Sequence, residues 1–335
     1  MSVTIKDISK RLGISVSTVS KALNGYPDVS DDTRRQILEL ARELDYHPNL
    51  AAQSLRRRRT NKIGLLITYP VAAVGEFLSQ IVTGAALAAE VEGYNLVLYT
   101  TIADQVDQIT RICRSREVDG MLVLWARQLD STLALIEHEA MPFVAVARRV
   151  ANHNISYVVC DNKQGAFEIT RHLIEQGHRR IGFMPIPELR ETNIDRLAGY
   201  RQALEEAGIT FDEELLVPVT LETGTRHAAM HTLMDLPDPP TAVFAFHDYI
   251  AIEALQAALD RGLRVPQDVA IAGFDGMYSS MVTTPPLTTV KQPTQEIGRR
   301  AVETLLTHIS DVNQPPYQIT LPVELIVRQS TTGAD

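Results

Sequence analysis

The feature that most restricts the possible folds of this chain is residues 15–25, which read Ser-Val-Ser-Thr-Val-Ser-Lys-Ala-Leu-Asn-Gly. Ser15 is a good helix N-cap and Asn24-Gly25 is a strong stop signal, so the pattern predicts a short helix between them. One side of it is an apolar stripe of Val19, Ala22 and Leu23. The other side carries Ser17, Ser20, Lys21 and Asn24. Short polar groups with one long cation suit base edges and phosphates, which predicts a DNA recognition helix.

The flanking segments fit two further short helices. Thr4 and Asp7 resemble a capping box before a helix that Gly13 ends. Ser30 caps a third helix, and its apolar residues are expected to cover the first two: Ile37, Leu38, Ala41 and Leu44. The arrangement predicts a helix-turn-helix, whereas a helical bundle with a solvated polar face is the alternative, because this geometry also occurs outside DNA binding.

Charge and composition set the chain's class. Residues 1–62 hold twelve basic and seven acidic residues, a net +5, and the remainder holds twenty and thirty-four, a net −14. A basic head on an acidic body predicts one end-on docking face for nucleic acid. We find no secretory signal and no apolar run of about twenty residues, so we expect no membrane span and a cytoplasmic location. The two cysteines form no metal pattern and are expected to be buried and inert.

The amino-acid sequence of the first sixty residues closely resembles the headpiece of the lactose-repressor/purine-repressor family. The matching stretches are Ile5–Ser9, Val16–Gly25, Val29-Ser30, Thr33-Arg34, Tyr46–Asn49 and Ala51–Leu55. The resemblance implies a homodimer that binds a palindromic operator in double-stranded DNA. In the headpiece the expected DNA contacts are Thr4, Ser15, Val16, Ser17, Ser20, Lys21, Asn24, Ser30 and Thr33.

Residues 47–62 are predicted to be a hinge and linker. Pro48 ends the preceding structure, and four consecutive arginines follow at Arg56–Arg59. The charge run alone favours a solvated, disordered linker. The resemblance instead implies a short helix that forms only on the operator, where Leu55 wedges the central base step open. The hinge residues expected at DNA are Asn49, Ala52, Leu55 and Arg56.

Beyond Lys62, short apolar runs alternate with helical stretches. This pattern predicts two doubly wound lobes of buried parallel strands, with clefts beyond the strand carboxyl ends. Helices are expected near 76–92, 105–116, 130–139, 163–176, 195–207, 223–235, 248–260 and 294–309. A strand is also expected near 215–219.

The body resembles the same family's effector domain. The matching stretches are Asp161-Asn162, Gly177–Gly182, Arg196–Tyr200, Pro240–Val243, Gly262–Pro266, Gly273–Asp275 and Pro286–Val290. The implied fold class is an all-α helix-turn-helix headpiece plus an α/β two-lobed domain similar to periplasmic binding proteins. The expected domains are 1–46, 47–62 and 63–328, followed by a tail at 329–335. Lobe 1 is expected at about 63–158 and 293–315, and lobe 2 at about 159–288 and 319–328.

The resemblance also implies an effector cleft. Arg196 and Asp275 match residues that grip effector oxygens and N–H groups, and His247-Asp248 replaces the family's Asn-Asp pair. Asp161 either touches the ligand or caps the next helix, and Arg148 either faces the ligand or pairs with a surface carboxylate. Tyr69, Phe77 and Trp125 either stack on the ligand or pack within the lobe. The expected effector residues are Tyr69, Phe77, Trp125, Arg148, Asp161, Thr192, Arg196, His247, Asp248 and Asp275.

A small-molecule-controlled repressor is the predicted function, with a sugar as first effector and a purine or nucleoside as second. Arg190 and Thr192 match positions that the purine-binding member of the family uses. That member has an aromatic residue at the next matching position, where this chain has Leu221. In some members of the resembled family, a C-terminal leucine heptad makes tetramers. The tail of this chain has no such heptad, so we expect a dimer. A solute-capture protein would need a signal peptide. An enzyme is disfavoured, because we find no phosphate loop, nucleophile elbow or metal-ligand spacing, and no cofactor or catalytic residue is predicted.

Overall fold

The computed structural model of this chain describes residues 3–46, 59–67, 75–100, 106–124, 129–150, 154–187, 190–220 and 225–332. Two compact units, Met1–Thr60 and Asn61–Asp335, are described separately below. Their boundary falls inside the segment predicted to be a linker. Predictions for Asn49, Ala52, Leu55, Arg56, Tyr69 and Trp125 lie outside the described residues.

The described part of the smaller unit forms three helices, α1 (Ile5–Leu12), α2 (Val16–Leu23) and α3 (Asp31–Glu43). At the start of α1, the Asp7 carboxylate accepts from the Thr4 backbone N–H at 2.8 Å. Gly13 ends the helix at a φ of +68°, which a glycine adopts without strain. The hydroxyls of Ser15 and Ser30 accept backbone N–H groups at 3.0 and 3.3 Å and begin the next two helices. The predicted caps are therefore confirmed.

A small apolar core joins these helices. Its buried members are Ile8, Val19, Ala22, Val29, Ile37 and Ala41. The prediction that Leu38 joins this core is wrong, because Leu38 is 37% exposed. Leu40 packs against the core instead, since residues 37, 40, 41 and 44 share one face of α3 at spacings of three and four.

The first sheet of the larger unit has six strands, all paired in parallel. They are β1 (Lys62–Ile67), β2 (Asn95–Thr100), β3 (Gly120–Leu124), β4 (Phe143–Val146), β5 (Tyr157–Cys160) and β10 (Gln318–Leu321). Their spatial order is β10-β5-β4-β3-β1-β2. The part of the chain around this sheet, called lobe 1, includes helices α4 (Gly75–Val91), α5 (Val106–Ser115), α6 (Leu129–His138) and α11 (Thr294–Ser310).

The second sheet has five strands in the order β11-β9-β8-β7-β6. They are β6 (Ile181–Met184), β7 (Ala242–Ala245), β8 (Ala270–Asp275), β9 (Thr288–Lys291) and β11 (Glu324–Ile326). β11 pairs antiparallel with β9, and the other neighbours are parallel. The surrounding lobe 2 includes α7 (Asn162–Glu175), α8 (Arg190–Glu206), α9 (Thr225–Met234), α10 (Asp248–Asp260) and α12 (Gln329–Thr332). No described helix is long and apolar enough to cross a membrane.

Three sequence predictions need correction. Residues 319–321, expected in lobe 2, lie in the first sheet, where the Asp161 N–H donates to the Leu321 carbonyl at 2.9 Å. The stretch 215–219 begins at the last residue of a 3₁₀ turn, Glu213–Leu215, and makes an isolated bridge at Leu216 instead of a regular strand. The expected tail begins with a helix whose Ser330 and Thr331 are buried, and the Thr331 hydroxyl bonds His172 Nε2 at 2.8 Å.

Helices α4 and α11 approach each other through two glycines. A Cβ on Gly84 would lie 1.9 Å from the Gln295 carbonyl oxygen, and a Cβ on Gly298 would lie 2.2 Å from that of Ile81. The opposing atoms belong to rigid helix backbone, so they cannot move aside independently. This close crossing attaches α11 to lobe 1 although it follows lobe 2 in the chain.

We expect Gly84→Val to lower the free energy of unfolding by about 3 kcal/mol, because the added side chain overpacks this crossing. Gly75→Val is the matched control, since no atom of the described residues lies within 4 Å of a Cβ at Gly75. Urea denaturation of both variants measures the difference. Equal midpoints would contradict the crossing described here.

Candidate functional site

The recognition face of the smaller unit is the outer side of α2. Val16 and Ser17 are exposed in its first turn, and Ser20, Lys21 and Asn24 are partly exposed further along. Val16 has 40% of its surface exposed. An exposed apolar group in the first turn suits contact with a thymine methyl in the major groove. Base contact by these residues stays a prediction.

Several predicted DNA-contacting side chains also hold the headpiece together. The Lys21 ammonium pairs with Asp28, whose pKa is lowered chiefly by that hydrogen bond. Asn24 donates to the Ser20 carbonyl at 2.7 Å and closes the last turn of α2. The Thr33 and Ser30 hydroxyls lie 2.8 Å apart at the start of α3. Binding a phosphate through Lys21 therefore requires exchange of an exposed ion pair, which costs little.

Arg34 is a residue that the sequence analysis did not select. Its guanidinium donates to the Tyr26 carbonyl at 2.6 Å and braces the turn between α2 and α3. The family-like Thr33-Arg34 stretch was the only available signal for it.

The candidate cleft residues of lobe 2 lie at the carboxyl ends of neighbouring parallel strands. His247 follows β7, Asp275 ends β8, and α8 begins at Arg190 after β6. These strands lie side by side, so the residues that follow them meet at one edge of the sheet. The structure thus places Arg196, His247, Asp248 and Asp275 at the edge where a ligand is expected, and Thr192 lies about one helical turn before Arg196 on α8.

Arg196 is the centre of this edge. It is 3% exposed and lies between two aromatic rings, with its Cζ 3.6 Å from the Phe274 centroid and 4.5 Å from that of Phe246. Its Nε donates to Asn162 Oδ1 at 2.9 Å, and Nη1 donates to the Phe246 carbonyl. Its Nη2 lies 3.5 Å from Asp275 Oδ1. The guanidinium therefore joins three chain segments around the cleft.

Asp275 is held in a demanding geometry. Its φ of +118° is rare for a residue with a side chain, and Oδ1 accepts from Gln292 Nε2 at 2.6 Å. Burial raises the pKa of its carboxyl to about 6, against the opposing effect of Arg196. A strained, buried carboxylate at a cleft is typical of a functional position.

Asp248 has a structural role. Its Oδ2 accepts from the Met277 N–H at 2.7 Å, and Oδ1 accepts from the Thr289 hydroxyl at 2.6 Å. Gly273 makes room for it, because a Cβ there would lie 2.3 Å from Oδ1. Burial raises the pKa of Asp248 well above its usual value. With both oxygens already accepting, the assignment of Asp248 to the ligand has little geometric support.

His247 caps α10. Its Nδ1 accepts from the Ile250 N–H at 3.2 Å, and its Nε2 is buried without a hydrogen-bond partner among the described residues. Asn193, in the first turn of α8, has a buried Oδ1 for which the described part of the chain also offers no partner. The sequence analysis selected Thr192 and missed Asn193, because only the folded chain shows which polar atoms are buried.

For two other predicted effector residues, the contacts favour the structural alternative: Asp161 caps a helix and Phe77 packs in the core. Asp161 accepts from the Gln164 N–H at 2.9 Å and caps α7, as the capping alternative predicted. Phe77 is 5% exposed within the lobe 1 core beside Ile81, which favours the packing alternative. Arg148 is half-buried after β4.

Direct contacts join the two lobes. Arg149, which follows β4, pairs with Asp195 of α8 at 2.7 Å. Glu76, in the first turn of α4, accepts backbone N–H groups of the 3₁₀ turn Tyr278–Met281, from Tyr278 and from Ser279 at 3.3 Å. The carboxylates of Asp195 and Glu76 therefore both make contacts from one lobe to the other.

The chain is similar to known proteins in both units. Residues 4–49 match the model described as bacterial regulatory proteins, lacI family, and residues 170–331 match the periplasmic binding protein-like domain. It is 36% identical to the HTH-type transcriptional repressor PurR of Escherichia coli O139:H28 (strain E24377A / ETEC), over 98% of this chain and 96% of that one.

Solved structures give the same likeness. One is a complex of the transcriptional regulator CelR with cellobiose, at 32% identity and a TM-score of 0.77, covering 98% of this chain and 99% of that one. Another is the lac repressor dimer bound to operator and the anti-inducer ONPF, at 25% identity and a TM-score of 0.84, covering 99% of each chain.

Proposed function

We propose, from the premise that this chain belongs to the LacI family of bacterial regulatory proteins, that it is a dimeric, sugar-responsive repressor of the cytoplasm. It binds a palindromic operator through two headpieces and leaves it when a small molecule occupies the cleft. The observation that carries this proposal is the chain's construction: an exposed recognition helix on its own small core, and a buried polar cleft in a separate unit.

The charge distribution supports DNA binding by the headpiece. A net charge of +5 in residues 1–62 attracts phosphate, and −14 in the remainder repels it. The exposed Val16 and Ser17 lie in the first turn of α2, which is the part of a recognition helix that contacts base edges.

Exposed apolar side chains support the dimer. Tyr278, Met281 and Val282 of lobe 2 are 67%, 53% and 63% exposed, and Leu87 and Leu98 of lobe 1 are 57% and 52% exposed. Tyr278, Met281 and Val282 lie in or directly after one 3₁₀ turn, so they form an exposed apolar cluster, and such clusters mark protein interfaces more often than free surface. A second copy of the chain is the partner that a palindromic operator requires.

We expect Met281→Asp to convert the dimer to a monomer and to weaken operator binding at least about tenfold, because one headpiece then contacts one half-site. Val312→Asp is the control, since Val312 is 74% exposed outside this cluster. Light scattering gives the mass of each variant. If the Met281→Asp variant forms a dimer that is as stable as the wild-type dimer, Met281 does not lie in the dimer interface.

A sugar is the favoured effector. The relative with cellobiose bound covers nearly the whole chain, and the cleft edge offers buried hydrogen-bonding groups of both polarities. A purine is the second candidate, because the PurR relatives align over the same length. The absence of an aromatic residue at position 221 disfavours it, since a purine ring needs a stacking surface.

Lobe closure is the proposed link between ligand and DNA. Glu76 and Arg149 hold the lobes together across the cleft mouth, and a ligand that prefers one lobe arrangement shifts the balance between arrangements. Because Glu76 contacts the turn that carries Tyr278 and Met281, closure also positions part of the proposed dimer surface.

We expect Glu76→Ala to increase the radius of gyration of the ligand-free protein and to weaken effector binding several-fold, because the closed arrangement that the ligand prefers becomes less populated. Glu90→Ala is the matched control on the exposed side of the same helix. Small-angle X-ray scattering with and without ligand measures the change. Identical scattering by the two variants would contradict the proposal that the contact between Glu76 and the Tyr278–Met281 turn holds the lobes together.

The proposed function is tested by selecting double-stranded DNA from a random library with the full chain. The expected result is a palindrome with half-sites about one helical turn apart. Release from that DNA is then measured with neutral monosaccharides and disaccharides, and with purine bases and nucleosides. Recovery of no palindrome contradicts the operator, and release by purines alone contradicts the sugar.

A further inference from the structure

The chain enters lobe 1 through a hydrogen-bonded turn at Asn61, where the predicted hinge and linker ends. The Asn61 N–H donates to Asp119 Oδ2 at 3.0 Å, and the Asn61 carbonyl accepts the Asn95 N–H at 2.9 Å. One residue later, the Lys62 carbonyl accepts the Asp119 N–H at 2.8 Å. The start of β1 is therefore bonded to the chain on both of its sides.

The backbone turns at Asn61 instead of extending β1. In an extended strand, the N–H and the carbonyl of one residue point towards the same neighbouring strand. At Asn61 they point to opposite neighbours, because the carbonyl meets the start of β2 and the N–H meets Asp119, which directly precedes β3. The φ of Asn61 is +51°, a conformation that asparagine adopts more readily than most residues. The Asp119 carboxylate is the group that accepts the N–H of this turn.

The backbone at Asp119 is enclosed by the core of lobe 1. Val118 and Gly120, on either side of it, are buried. A Cβ on Gly120 would lie 2.9 Å from Leu305 Cδ1 of α11 and 3.1 Å from the Pro142 carbonyl oxygen. Such close packing has low compressibility and transmits displacement instead of absorbing it. The Asp119 carboxylate therefore moves with lobe 1, and so does the Asn61 N–H that it holds.

We propose that Asp119 is a positioning residue for operator binding. By holding the Asn61 N–H, it fixes the direction in which the linker leaves lobe 1. A movement of lobe 1 then reaches the linker without being absorbed at its root, and the two linkers of a dimer start at a defined separation and angle. This inference rests on the proposed binding of a palindromic operator, and it does not depend on which molecule occupies the cleft.

Two substitutions remove this hydrogen bond from its two ends. Asp119→Ala removes the acceptor, whereas Asn61→Pro removes the donor and cannot adopt a positive φ. Asp119→Asn removes the charge but keeps an acceptor oxygen, so it should behave as wild type. Glu117→Ala is the matched control, because it removes an exposed carboxylate two residues away, which lies 3.4 Å from the Tyr99 hydroxyl.

The hydrogen bond is tested by amide hydrogen exchange on the full-length protein without DNA or ligand. Mass spectrometry of overlapping peptides that differ by the Asn61 amide gives the protection of that amide. We expect protection in wild type, Asp119→Asn and Glu117→Ala. In Asp119→Ala the amide should exchange at least about tenfold faster, because a bond to a charged acceptor is lost. An amide that is unprotected in wild type, or equally protected in Asp119→Ala, overturns the proposal.

Positioning is tested with DNA of altered half-site spacing. The palindrome recovered from the random library is compared with versions that have one base pair inserted or removed between the half-sites, and fluorescence anisotropy measures each affinity. One base pair shifts the half-sites by about 3.4 Å and rotates them by about 35°. We expect wild type, Asp119→Asn and Glu117→Ala to bind the altered spacings at least about tenfold more weakly than the original.

Asp119→Ala and Asn61→Pro should lose less than about threefold on the altered spacings, because a freer linker root lets each headpiece follow its half-site. A variant that is only less stable binds every spacing more weakly, so its ratio between spacings stays that of wild type. Such a uniform loss, up to no binding at all, overturns the proposal. Urea midpoints of the same variants record the stability separately.

The two proposals fail in different ways. If wild type binds the palindrome and Asp119→Ala discriminates between spacings as wild type does, Asp119 does not position the headpieces, and the proposed function stands. If wild type recovers no palindrome, the operator-binding part of the proposed function is wrong, and the positioning role is overturned with it. In that case hydrogen exchange still shows whether Asp119 holds Asn61.

Discussion

Val19→Asp is expected to abolish specific operator binding by the full-length protein while the larger unit keeps its response to ligand. Val19 is fully buried at the centre of the headpiece core. A domain of this size has only about 3–5 kcal/mol of stability from its core. An unpaired carboxylate in that core costs a comparable amount, so the headpiece unfolds. Operator affinity should then fall at least about a hundredfold.

Leu38→Asp is the control for this experiment. It introduces the same charge into the same unit, but Leu38 is 37% exposed on α3. We expect operator affinity within a few-fold of wild type. Fluorescence anisotropy with a labelled operator measures both variants, and thermal shift with the best ligand monitors the larger unit. Equal losses in the two variants would show that charge, and not core disruption, is responsible.

Arg196→Met should cause the largest loss of stability among cleft substitutions. Methionine keeps the length and can pack between the rings of Phe246 and Phe274. It leaves the buried Asp275 carboxylate without its cationic partner, although Gln292 still donates to it, and it leaves Asn162 Oδ1 without the Arg196 donor. Removing one partner of a buried pair costs about 3–5 kcal/mol, because the other charge remains. Urea denaturation measures the loss, and ligand binding should fall in parallel.

The double variant Arg196→Met/Asp275→Asn separates the charge from the packing. The neutral amide that replaces the carboxylate would leave no ionised group behind, so part of the lost stability should return. Asp275→Asn alone provides the fourth corner of the thermodynamic cycle. If the double variant is no more stable than Arg196→Met, the ion pair at 3.5 Å contributes little, and the hydrogen bonds to Asn162 and Phe246 dominate.

The same carboxyl predicts a pH dependence. Burial raises the pKa of Asp275 from 3.8 to about 6, so the folded state binds the proton more tightly than the unfolded state does. The stability contributed by this group is complete below about pH 4 and is lost as pH rises towards 6. We therefore expect the stability of wild type relative to Asp275→Asn to fall between about pH 4 and pH 7. A rise over that interval would contradict the assigned direction.

Local patterns predicted most element bounds correctly. The stop at Asn24-Gly25 and the caps at Ser15, Ser30 and Asp161 depend on neighbouring residues only. Helix α8 was expected from 195 but begins at Arg190. Its first turn is polar because it borders the cleft, so it has no apolar stripe to mark it.

Side-chain roles in the cleft were less predictable. The resemblance indicated Arg196, Asp248 and Asp275 as ligand contacts. Both carboxylate oxygens of Asp248, however, already accept hydrogen bonds, from the Met277 N–H and the Thr289 hydroxyl. Asn193 escaped notice, and so did Arg149, which pairs across the lobes with Asp195. These distinctions depend on distances between strands that are far apart in the chain.

By itself, the sequence determined the family, the helix-turn-helix and the alternating α/β pattern, because capping, hydrophobic period and charge act over a few residues. Only the tertiary structure decided which sheet receives Gln318–Leu321, which carboxylates are already bonded, and which ring nitrogen of His247 accepts the capping N–H of α10. Those outcomes depend on long-range contacts and on burial, and burial exists only once distant segments have packed together.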